Sequence, residues 1–414
     1  MTNLSGSEPS GTFSARRLNQ SADFSDSADV VIVGGGPAGL GAGIALAQAG
    51  ISVIVIERRT YPVDKVCGEG IMPSGVALLR RLQIDAHLDN GSFYPFRGIR
   101  YNSVTGRTAV GEFAEGVGWG VRRLTLSRAL RARAKQEPTL RVIEGTRVIG
   151  VHRGGDTMIV RLEGEGELNA RLVIGADGLH SQVRRWAGLQ RESASGKRWG
   201  IRRHFLTAPW SDYVEVYWAT GVEAYVTPCS ADSVEIAFLW DENRYPSVAK
   251  FEGFLTLFPT VKARIGTGEP LDAVQGAGPL RQVTAVPIAD GIALIGDAAG
   301  YLDAITGEGI SLALAQADAL CETIVAPLGR SKAVLSGREL APYTRAYTRI
   351  VRPYYVMTHA TLLLSRFPWL ADRLIHSLGT QPEIFQRLLS FNMGRTPGAG
   401  ELLTTLGRLI WGIK

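Results

Sequence analysis

Cysteine is scarce in this sequence of 414 residues, and its three cysteines, Cys67, Cys229 and Cys321, lie far apart. The spacing leaves no pair of the kind that a zinc ribbon, a redox dithiol or a disulfide framework requires. We therefore expect a reducing compartment and predict a cytoplasmic location. Metalloprotease, P-loop and GxSxG motifs are also missing, so the sequence gives no support to hydrolysis chemistry and predicts no bound metal.

Acidic residues are in short supply only toward the C-terminal end of the sequence. The net charge of +6 comes from 45 basic and 39 acidic side chains, and residues 341–414 hold nine of the basic and three of the acidic ones. The rest of the sequence is neutral, so we predict no nucleic-acid partner. This basic region is also apolar at helical spacing, at Leu402, Leu403, Leu406, Leu409, Ile410 and Ile413, beside Arg408 and Trp411. Two interpretations stay open: a helical layer packed on the body, or a helix in peripheral contact with the inner face of an anionic membrane.

Residues 30–56 contain no charged side chain and are numerous enough to cross a bilayer. Their seven glycines, however, separate a β-type apolar run, a Gly-rich turn, an Ala- and Leu-rich stretch and a second apolar run. This order predicts strand, turn, helix and strand in a folded domain rather than a membrane span. Residues 1–27 are polar and Ser-rich without the apolar core of a secretion signal, and we predict a flexible tail there.

The turn of this unit reads GGGPAG at residues 34–39, which places Gly34, Gly36 and Gly39 in the pattern GxGxxG. In such a turn the glycines allow a tight bend, the close approach of a pyrophosphate and close packing of helix on strand. Glu57 ends the second strand, where a carboxylate binds the hydroxyls of a ribose. The unit therefore predicts a dinucleotide-binding site.

Two later segments repeat a strand that ends in a Gly-rich turn with an acidic residue. The first reads GADG at residues 175–178 and the second reads GDAAG at residues 296–300. The second is followed by TGEGI at residues 306–310, which opens an apolar helix. Each turn alone is unspecific, but the three motifs in this order form a recognisable set.

With these motifs the sequence resembles the FAD-dependent oxidoreductases that include p-hydroxybenzoate hydroxylase-type enzymes and the geranylgeranyl reductase family. The resemblance implies an α/β (α+β) fold, with a Rossmann-type FAD-binding domain, an inserted antiparallel β-sheet substrate domain and a C-terminal helical region. We expect the FAD-binding domain at residues 28–80, 115–194 and 281–340. We expect the substrate domain at residues 81–114 and 195–280, and the helical region at residues 341–414.

The resemblance also implies which residues hold FAD. The first motif would bind the ADP half, Asp297 a ribityl hydroxyl, and the backbone of residues 307–310 the flavin ring. The expected cofactor residues are Gly34, Gly36, Pro37, Ala38, Gly39, Glu57, Arg58, Arg123, Asp177, Gly296, Asp297, Gly307, Gly309 and Ile310. Cys67, in a KxCGEG segment typical of the reductase branch, is a candidate to lie beside the flavin.

The aromatic-rich strands of residues 195–280 are expected to line a substrate pocket. Our candidates are Arg203, His204, Tyr217, Tyr225 and Pro228, although ordinary sheet packing accounts equally for each of them. NAD(P)H is the expected electron donor. Because no second GxGxxG occurs, it would dock without a Rossmann domain of its own.

Two reactions are compatible with the motifs. The leading hypothesis is an FAD-dependent, NAD(P)H-consuming monooxygenase acting on an apolar aromatic or unsaturated small molecule, as in secondary metabolism. The alternative is reduction of C=C bonds in a lipid-like substrate, as in the geranylgeranyl reductase branch. That branch usually carries a YxWxFP stretch, where this sequence has Tyr225-Val226-Thr227-Pro228-Cys229, and this departure favoured the monooxygenase.

Overall fold

The computed structural model describes residues 26–164, 166–192, 197–245 and 250–393. The predicted N-terminal tail, apart from its last two residues, lies outside this range, and so do the apolar positions from Leu402 to Ile413.

The first sheet combines a parallel core with two antiparallel additions. Its strands are β1 (Ser27–Val33), β2 (Val53–Glu57), β8 (Leu140–Glu144), β9 (Val148–Gly154), β10 (Thr157–Leu162), β11 (Glu167–Gly175), β20 (Ile288–Ala289) and β21 (Ile292–Leu294).

The parallel strands of this sheet lie in the order β21-β11-β1-β2-β8, and antiparallel β20 and β10 pair with β21 and β11. Successive residues of β1 alternate between two cores because side chains along a strand point to opposite faces. Val30 and Ile32 pack on helices, whereas Val31 and Val33 face the side of β9 and β10. The long uncharged run at residues 30–56 is thus buried between two protein layers.

Three helices cover the first of these faces. They are α1 (Pro37–Gln48), α3 (Arg123–Ala134) and α7 (Gly309–Arg330). Within the described residues, α7 is one helix whose length and mean hydropathy of 1.3 would suit a membrane span. Here it packs on α1 and α2 (Pro73–Arg81) and contributes Leu314, Leu320 and Ile324 to the core. It is the central helix of the cofactor half of the fold.

The second large sheet lies beside the first and receives strands from two separate parts of the chain. It contains β5 (Gly98–Asn102), β6 (Thr108–Glu112), β13 (Arg198–Leu206), β14 (Tyr213–Ala219), β15 (Val222–Pro228), β16 (Ser233–Asp241), β17 (Glu269–Pro270) and β18 (Gln275–Ala277). All neighbours are antiparallel except β5 and β14, which run parallel. The expected fully antiparallel sheet is corrected at this pair, because more than a hundred residues of the chain separate the two strands and no hairpin joins them.

Each face of the second sheet has its own cover. One face packs on α5 (Phe251–Leu255) and α6 (Pro259–Ile265) through a cluster rich in phenylalanine. The other face meets the helices α8 (Gly337–Arg366), α9 (Pro368–Thr380) and α10 (Pro382–Asn392). The remaining elements are the short helix α4 (Gln182–Trp186), the sheet of β3 (Gly70–Ile71), β4 (Phe93–Phe96) and β7 (Gly118–Val121), and the pair β12 (Gln190–Arg191) and β19 (Val283–Thr284). The expected fold class is confirmed, whereas the domain boundaries stay a prediction.

Candidate active site

A large cavity runs between the two halves of the fold. Its volume is about 1810 Å³, which exceeds the roughly 300–1,000 Å³ of a pocket for one drug-sized ligand. The wall at one end is formed by the Gly-rich turns of the first sheet, and at the other end by the second sheet and the helices α8 to α10. The space is large enough for a dinucleotide and a second molecule together.

The first Gly-rich turn forms a bare cradle at the start of α1. A side chain on Gly39 would place its Cβ 1.9 Å from the carbonyl oxygen of Gly34, so only glycine lets the helix approach the strand this closely. Gly36 is the N-terminal cap of α1 and offers no side chain to the free N–H groups of the first turn. Those N–H groups and the positive end of the helix dipole therefore face the cavity, as a pyrophosphate requires.

Glu57 and Arg123 complete this end of the cavity. The two carboxylate oxygens of Glu57 accept hydrogen bonds from the backbone N–H of Gly35 (2.8 Å) and of Arg59 (3.0 Å), which fixes the carboxylate at the end of β2. The guanidinium of Arg123 lies near Gly36, since a Cβ there would be 3.5 Å from its Nη2. A carboxylate and a cation on either side of the turn suit a ribose and a phosphate, so this chain's residues fit the ADP half of FAD.

The acidic residues of the two later turns differ in what they do. Asp297 lines the cavity and forms a 2.6 Å ion pair with Lys65. Asp177 also lines it, but its carboxylate accepts hydrogen bonds from the N–H groups of Gln182 (2.6 Å) and Val183 (3.2 Å) at the start of α4. Asp177 therefore holds a helix in place, whereas Asp297 presents its charge to the cavity. The other expected cofactor residues, Pro37, Ala38, Arg58, Gly296, Gly307, Gly309 and Ile310, all line the cavity.

The N-terminus of α7 opens into the middle of the cavity. Gly307 adopts a φ of +69°, and Glu308 is the helix cap without a side-chain hydrogen bond to the first turn. The positive end of this 22-residue helix suits negative charge on a reduced flavin ring. Glu308 itself is only 4% exposed, and one of its carboxyl oxygens has no hydrogen-bond partner. Burial raises the pKa of Glu308 well above its ordinary value, which favours the protonated form of this carboxyl group.

Cys67 lies in the cavity wall on the loop before β3. Burial raises the pKa of the Cys67 thiol to about 12, although Arg123 opposes this shift. The group is therefore a thiol and not a reactive thiolate at neutral pH. Cys229 and Cys321 are buried free cysteines, and the thiol of Cys229 donates a weak hydrogen bond to Glu69 at 3.4 Å.

A buried polar network connects the Cys67 loop with the second sheet. Glu69 accepts a hydrogen bond from the backbone N–H of Arg123 (2.7 Å), and its other oxygen lies 2.6 Å from Nε2 of His204. The Nδ1 of His204 is 2.7 Å from the half-buried Asp272, and Arg202 reaches both. Burial raises the pKa of Asp272, but hydrogen bonds from His204 and the charge of Arg202 more than offset this, and the net pKa lies below its usual value. The KxCGEG motif is visible in the sequence, but no pattern in the sequence indicates that Glu69 pairs with His204.

The five pocket candidates are distributed over both faces of the second sheet. Tyr225 lines the cavity, and its hydroxyl donates to the carbonyl of Ile305 (2.7 Å). His204 does not line the cavity, but it contacts Glu69, which does. Arg203, Tyr217 and Pro228 do not line the cavity, and their assignment to a substrate pocket stays a prediction.

The register of β14 and β15 explains why Tyr217 lies outside the cavity wall. Val216 pairs with Tyr225, so Val216 and Trp218 share its face, whereas Tyr217 points to the opposite face and donates to Glu215 (2.7 Å). Arg203 bonds to the carbonyl of Asp272 on the outer side, and Pro228 approaches the backbone of β7. Strand alternation anchored on Tyr225 would have selected Val216 and Trp218 instead.

Replacing Gly36 with alanine tests the cradle. A methyl group there meets no protein atom closer than 3.5 Å, but it occupies the path by which a pyrophosphate approaches the backbone. We expect the Kd for FAD to rise at least about tenfold while the melting temperature without FAD is unchanged. FAD titration by flavin fluorescence measures this. The control Gly253→Ala, in α5 with no atom within 4 Å of the new Cβ, should bind FAD normally. Equal affinity of Gly36→Ala and wild type would contradict the assignment.

Replacing Glu308 with glutamine tests whether burial raises the pKa of its carboxyl group. In the unfolded chain, Glu308 loses its proton at about pH 4.3. The folded protein keeps this proton to higher pH, so the free energy of unfolding of the wild type decreases as the pH rises above that value. Gln is neutral and of equal size. We therefore expect Glu308→Gln to match wild type near about pH 4 and to become more stable than wild type as the pH rises above this value. Urea unfolding measures this. Glu322→Gln, an exposed change on the same helix, should show no such divergence, and a constant difference for Glu308→Gln at all pH values would oppose the account.

Comparison with known proteins agrees with the geometry. Residues 27–337 match the family model described as an FAD binding domain. The chain is 29% identical over 308 residues to the menaquinone reductase of Mycobacterium tuberculosis, covering 70% of this chain and 74% of that protein. It is 29% identical over 301 residues to digeranylgeranylglycerophospholipid reductase 1 of Methanococcoides burtonii, covering 70% and 72%. It is 28% identical over 318 residues to the 6-methylpretetramide 4-monooxygenase of Streptomyces rimosus, covering 71% and 75%.

A solved structure shows that the fold extends beyond the family match. The flavoprotein/dehydrogenase of Cytophaga hutchinsonii superposes with a TM-score of 0.81 at 17% identity, covering 94% of this chain and all of that one. At this identity the likeness concerns the fold alone. The expected resemblance and the expected FAD cofactor are confirmed by the family match, which spans well over half of the chain. The chain belongs to the FAD-binding domain family and is an FAD-dependent oxidoreductase related to both the reductases and the monooxygenases of that family.

Proposed function

We propose that this chain is a reductase that saturates a C=C bond in the isoprenoid chain of a long apolar lipid, with FAD as cofactor. The observation that carries the proposal is the apolar end of the cavity. It extends past the N-terminus of α7 between the second sheet and the helices α8 to α10. A small aromatic substrate would leave most of this space without contact, whereas a long hydrocarbon chain would fill it.

The side chains of the apolar end are almost all aliphatic or aromatic. The sheet contributes Ile99, Val214, Val216, Trp218, Ala237 and Leu239, and the helices contribute Leu364, Ala371, Leu374, Ile375, Leu378, Phe385, Leu388 and Leu389. Their removal from water by a hydrocarbon ligand contributes about 25 cal/mol for each Å² of apolar area buried. Two reductases among the relatives carry in their names a prenylated quinone or an isoprenoid lipid, which also supports this substrate class.

The chemistry needs a hydride and a proton for the two carbons of the alkene. Reduced FAD, when bound, would supply the hydride, which carries both electrons, and would be oxidised as the alkene is reduced. The cavity wall holds two groups whose pKa burial raises, the carboxyl group of Glu308 and the thiol of Cys67. In this proposal one of them supplies the second hydrogen as a proton, and the buried wall keeps water from competing.

The proposal includes NAD(P)H as the electron donor. It also includes a cytoplasmic location from which the protein reaches a bilayer. The described residues contain one GxGxxG cradle, so the nicotinamide nucleotide would approach the ring through the open part of the same cavity. A lipid substrate requires contact with the membrane that stores it. Both statements depend on the substrate class.

Monooxygenation is the second candidate. The similarity to 6-methylpretetramide 4-monooxygenase favours it, because the identity is nearly the same as to the reductases. The buried apolar wall of the cavity would protect an oxygenating flavin from water as well as it protects a hydride donor. The two reactions differ in whether oxygen is required.

Anaerobic mixing separates the two candidates. Protein reduced with dithionite is mixed in oxygen-free buffer with a geranylgeranyl lipid that carries no quinone, and the absorbance of oxidised flavin is followed with the mass of the product. We expect reoxidation at a rate that depends on lipid concentration, and a product heavier by two hydrogens. Absence of reoxidation without oxygen, together with incorporation of oxygen on adding air, would replace the proposal by monooxygenation.

Narrowing the apolar end tests the length of the substrate. Leu388, half-buried on α10, lines the cavity, and Leu388→Trp adds volume there. We expect the KM for a long-chain lipid to rise about tenfold, because overpacking costs about 1–3 kcal/mol, and a truncated short-chain analogue to be unaffected. The control Val286→Trp changes an exposed residue outside the cavity. Equal losses for short and long substrates would contradict the assignment of this region to the tail.

A further inference from the structure

The outer side of α8 carries a stripe of exposed apolar and basic residues that continues onto α9. On α8 the residues of the stripe recur at helical spacing, and the stripe then continues through the turn at Phe367 onto α9. Its members are Arg352, Val356, His359, Ala360, Leu363, Arg366, Phe367, Trp369 and Arg373. We call these nine residues the basic apolar face. On a helix that only covers a core, the side turned to solvent is ordinarily polar. Here it is apolar and cationic.

The apolar members of this face are bulky and well exposed. Val356 and Trp369 are each 61% exposed, Leu363 is 53% and Phe367 is 45% exposed. Val104, 63% exposed in the turn between β5 and β6, lies next to the start of α9. In the part of the chain that the structure describes, Phe367 and Trp369 are the exposed aromatic side chains among the large hydrophobics. Concentrated exposure of this kind marks an interaction surface.

The charge of the face is positive and unopposed. Between residues 352 and 373, all of which the structure describes, Asp372 is the one acidic residue. Its carboxylate is taken up by Arg107 (3.1 Å) and the hydroxyl of Thr105, away from the stripe. Arg373 instead stacks over the ring of Trp369, with its guanidinium carbon 5.7 Å from the ring centroid. Arginine and tryptophan side by side are suited to the headgroup layer of an anionic bilayer.

The cavity opens beside this face. Val356 and Ala360 are exposed to solvent and also line the cavity, together with Arg349 and Arg352. A lipid that enters past these residues would pass directly from the basic apolar face to the apolar end of the cavity. The face and the entrance therefore share residues.

We propose that the basic apolar face docks on the surface of a bilayer that contains anionic lipids, with Phe367 and Trp369 in the headgroup layer. Acidic headgroups complement Arg366 and Arg373, and this charge match favours a membrane over a second copy of this equally basic surface. The proposal does not depend on the reaction, and it concerns residues upstream of the predicted membrane contact at Leu402 to Ile413.

Vesicle flotation of the full chain with FAD tests the proposal. Vesicles of phosphatidylcholine alone and of phosphatidylcholine mixed with phosphatidylglycerol are compared for wild type, Phe367→Ser/Trp369→Ser and Arg366→Gln/Arg373→Gln. We expect wild type to bind the anionic vesicles, with binding that weakens at high salt. Both double variants should bind at least about tenfold more weakly. The control Leu257→Ser/Val286→Ser removes exposed apolar side chains outside the face and should bind as wild type does.

A second readout follows Trp369 directly. Brominated lipids quench tryptophan fluorescence at the bilayer surface, and we expect part of this quenching to disappear in Trp369→Phe. Vesicle binding that is equal in wild type and both double variants would overturn the proposal. So would light scattering that shows a wild-type dimer, lost in Phe367→Ser/Trp369→Ser, together with no vesicle binding, since the face would then be a contact between copies. Flotation does not require turnover, so its failure and a failure of the proposed reaction are separate results.

Discussion

The carboxylate of Glu69 joins the cofactor half of the molecule to the substrate half. One oxygen accepts from the backbone N–H that starts α3, and the other pairs with His204 of β13 and receives a weak hydrogen bond from the Cys229 thiol at 3.4 Å. Glu69 is fully buried at a φ of +50°, a conformation that a non-glycine residue keeps only when its surroundings hold it. A buried carboxylate without these partners costs several kcal/mol, so the two halves stay in one relative position.

The shared cavity follows from this fixed position. The Cys67 loop that precedes Glu69 forms the wall between the Gly-rich cradle and the apolar end, and the N-terminus of α7 faces it. Polar groups with free N–H donors occupy one side, and aliphatic side chains of the second sheet and the C-terminal helices occupy the other. Glu308 and Cys67, whose pKa burial raises, both line this cavity. The proposed reaction, which brings a charged dinucleotide to an apolar substrate, needs this division.

Local motifs were readable from the sequence and long-range pairings were not. The turn at Gly34–Gly39 and the helix after Gly309 depend on neighbours within a few residues, because glycine and strand patterns define them directly. The face on which Tyr217 or Tyr225 lies depends on the register between strands, which a single strand does not encode. The partnership of Glu69 with His204 spans 135 positions and follows from the whole fold. The sequence also did not identify the residues of α9 and α10 that line the cavity. Core residues and cavity residues of a helix follow the same apolar helical spacing, so this spacing does not separate them.

The central claim is that the flavin ring and a long apolar ligand share one cavity. A crystal structure of the protein with FAD and a long-chain isoprenoid bound tests it most directly. The account predicts the ring between the Cys67 loop and the N-terminus of α7, with the hydrocarbon chain along Val216, Ile375 and Leu388. A hydrocarbon chain bound elsewhere, or a ring turned away from the N-terminus of α7, would contradict the account.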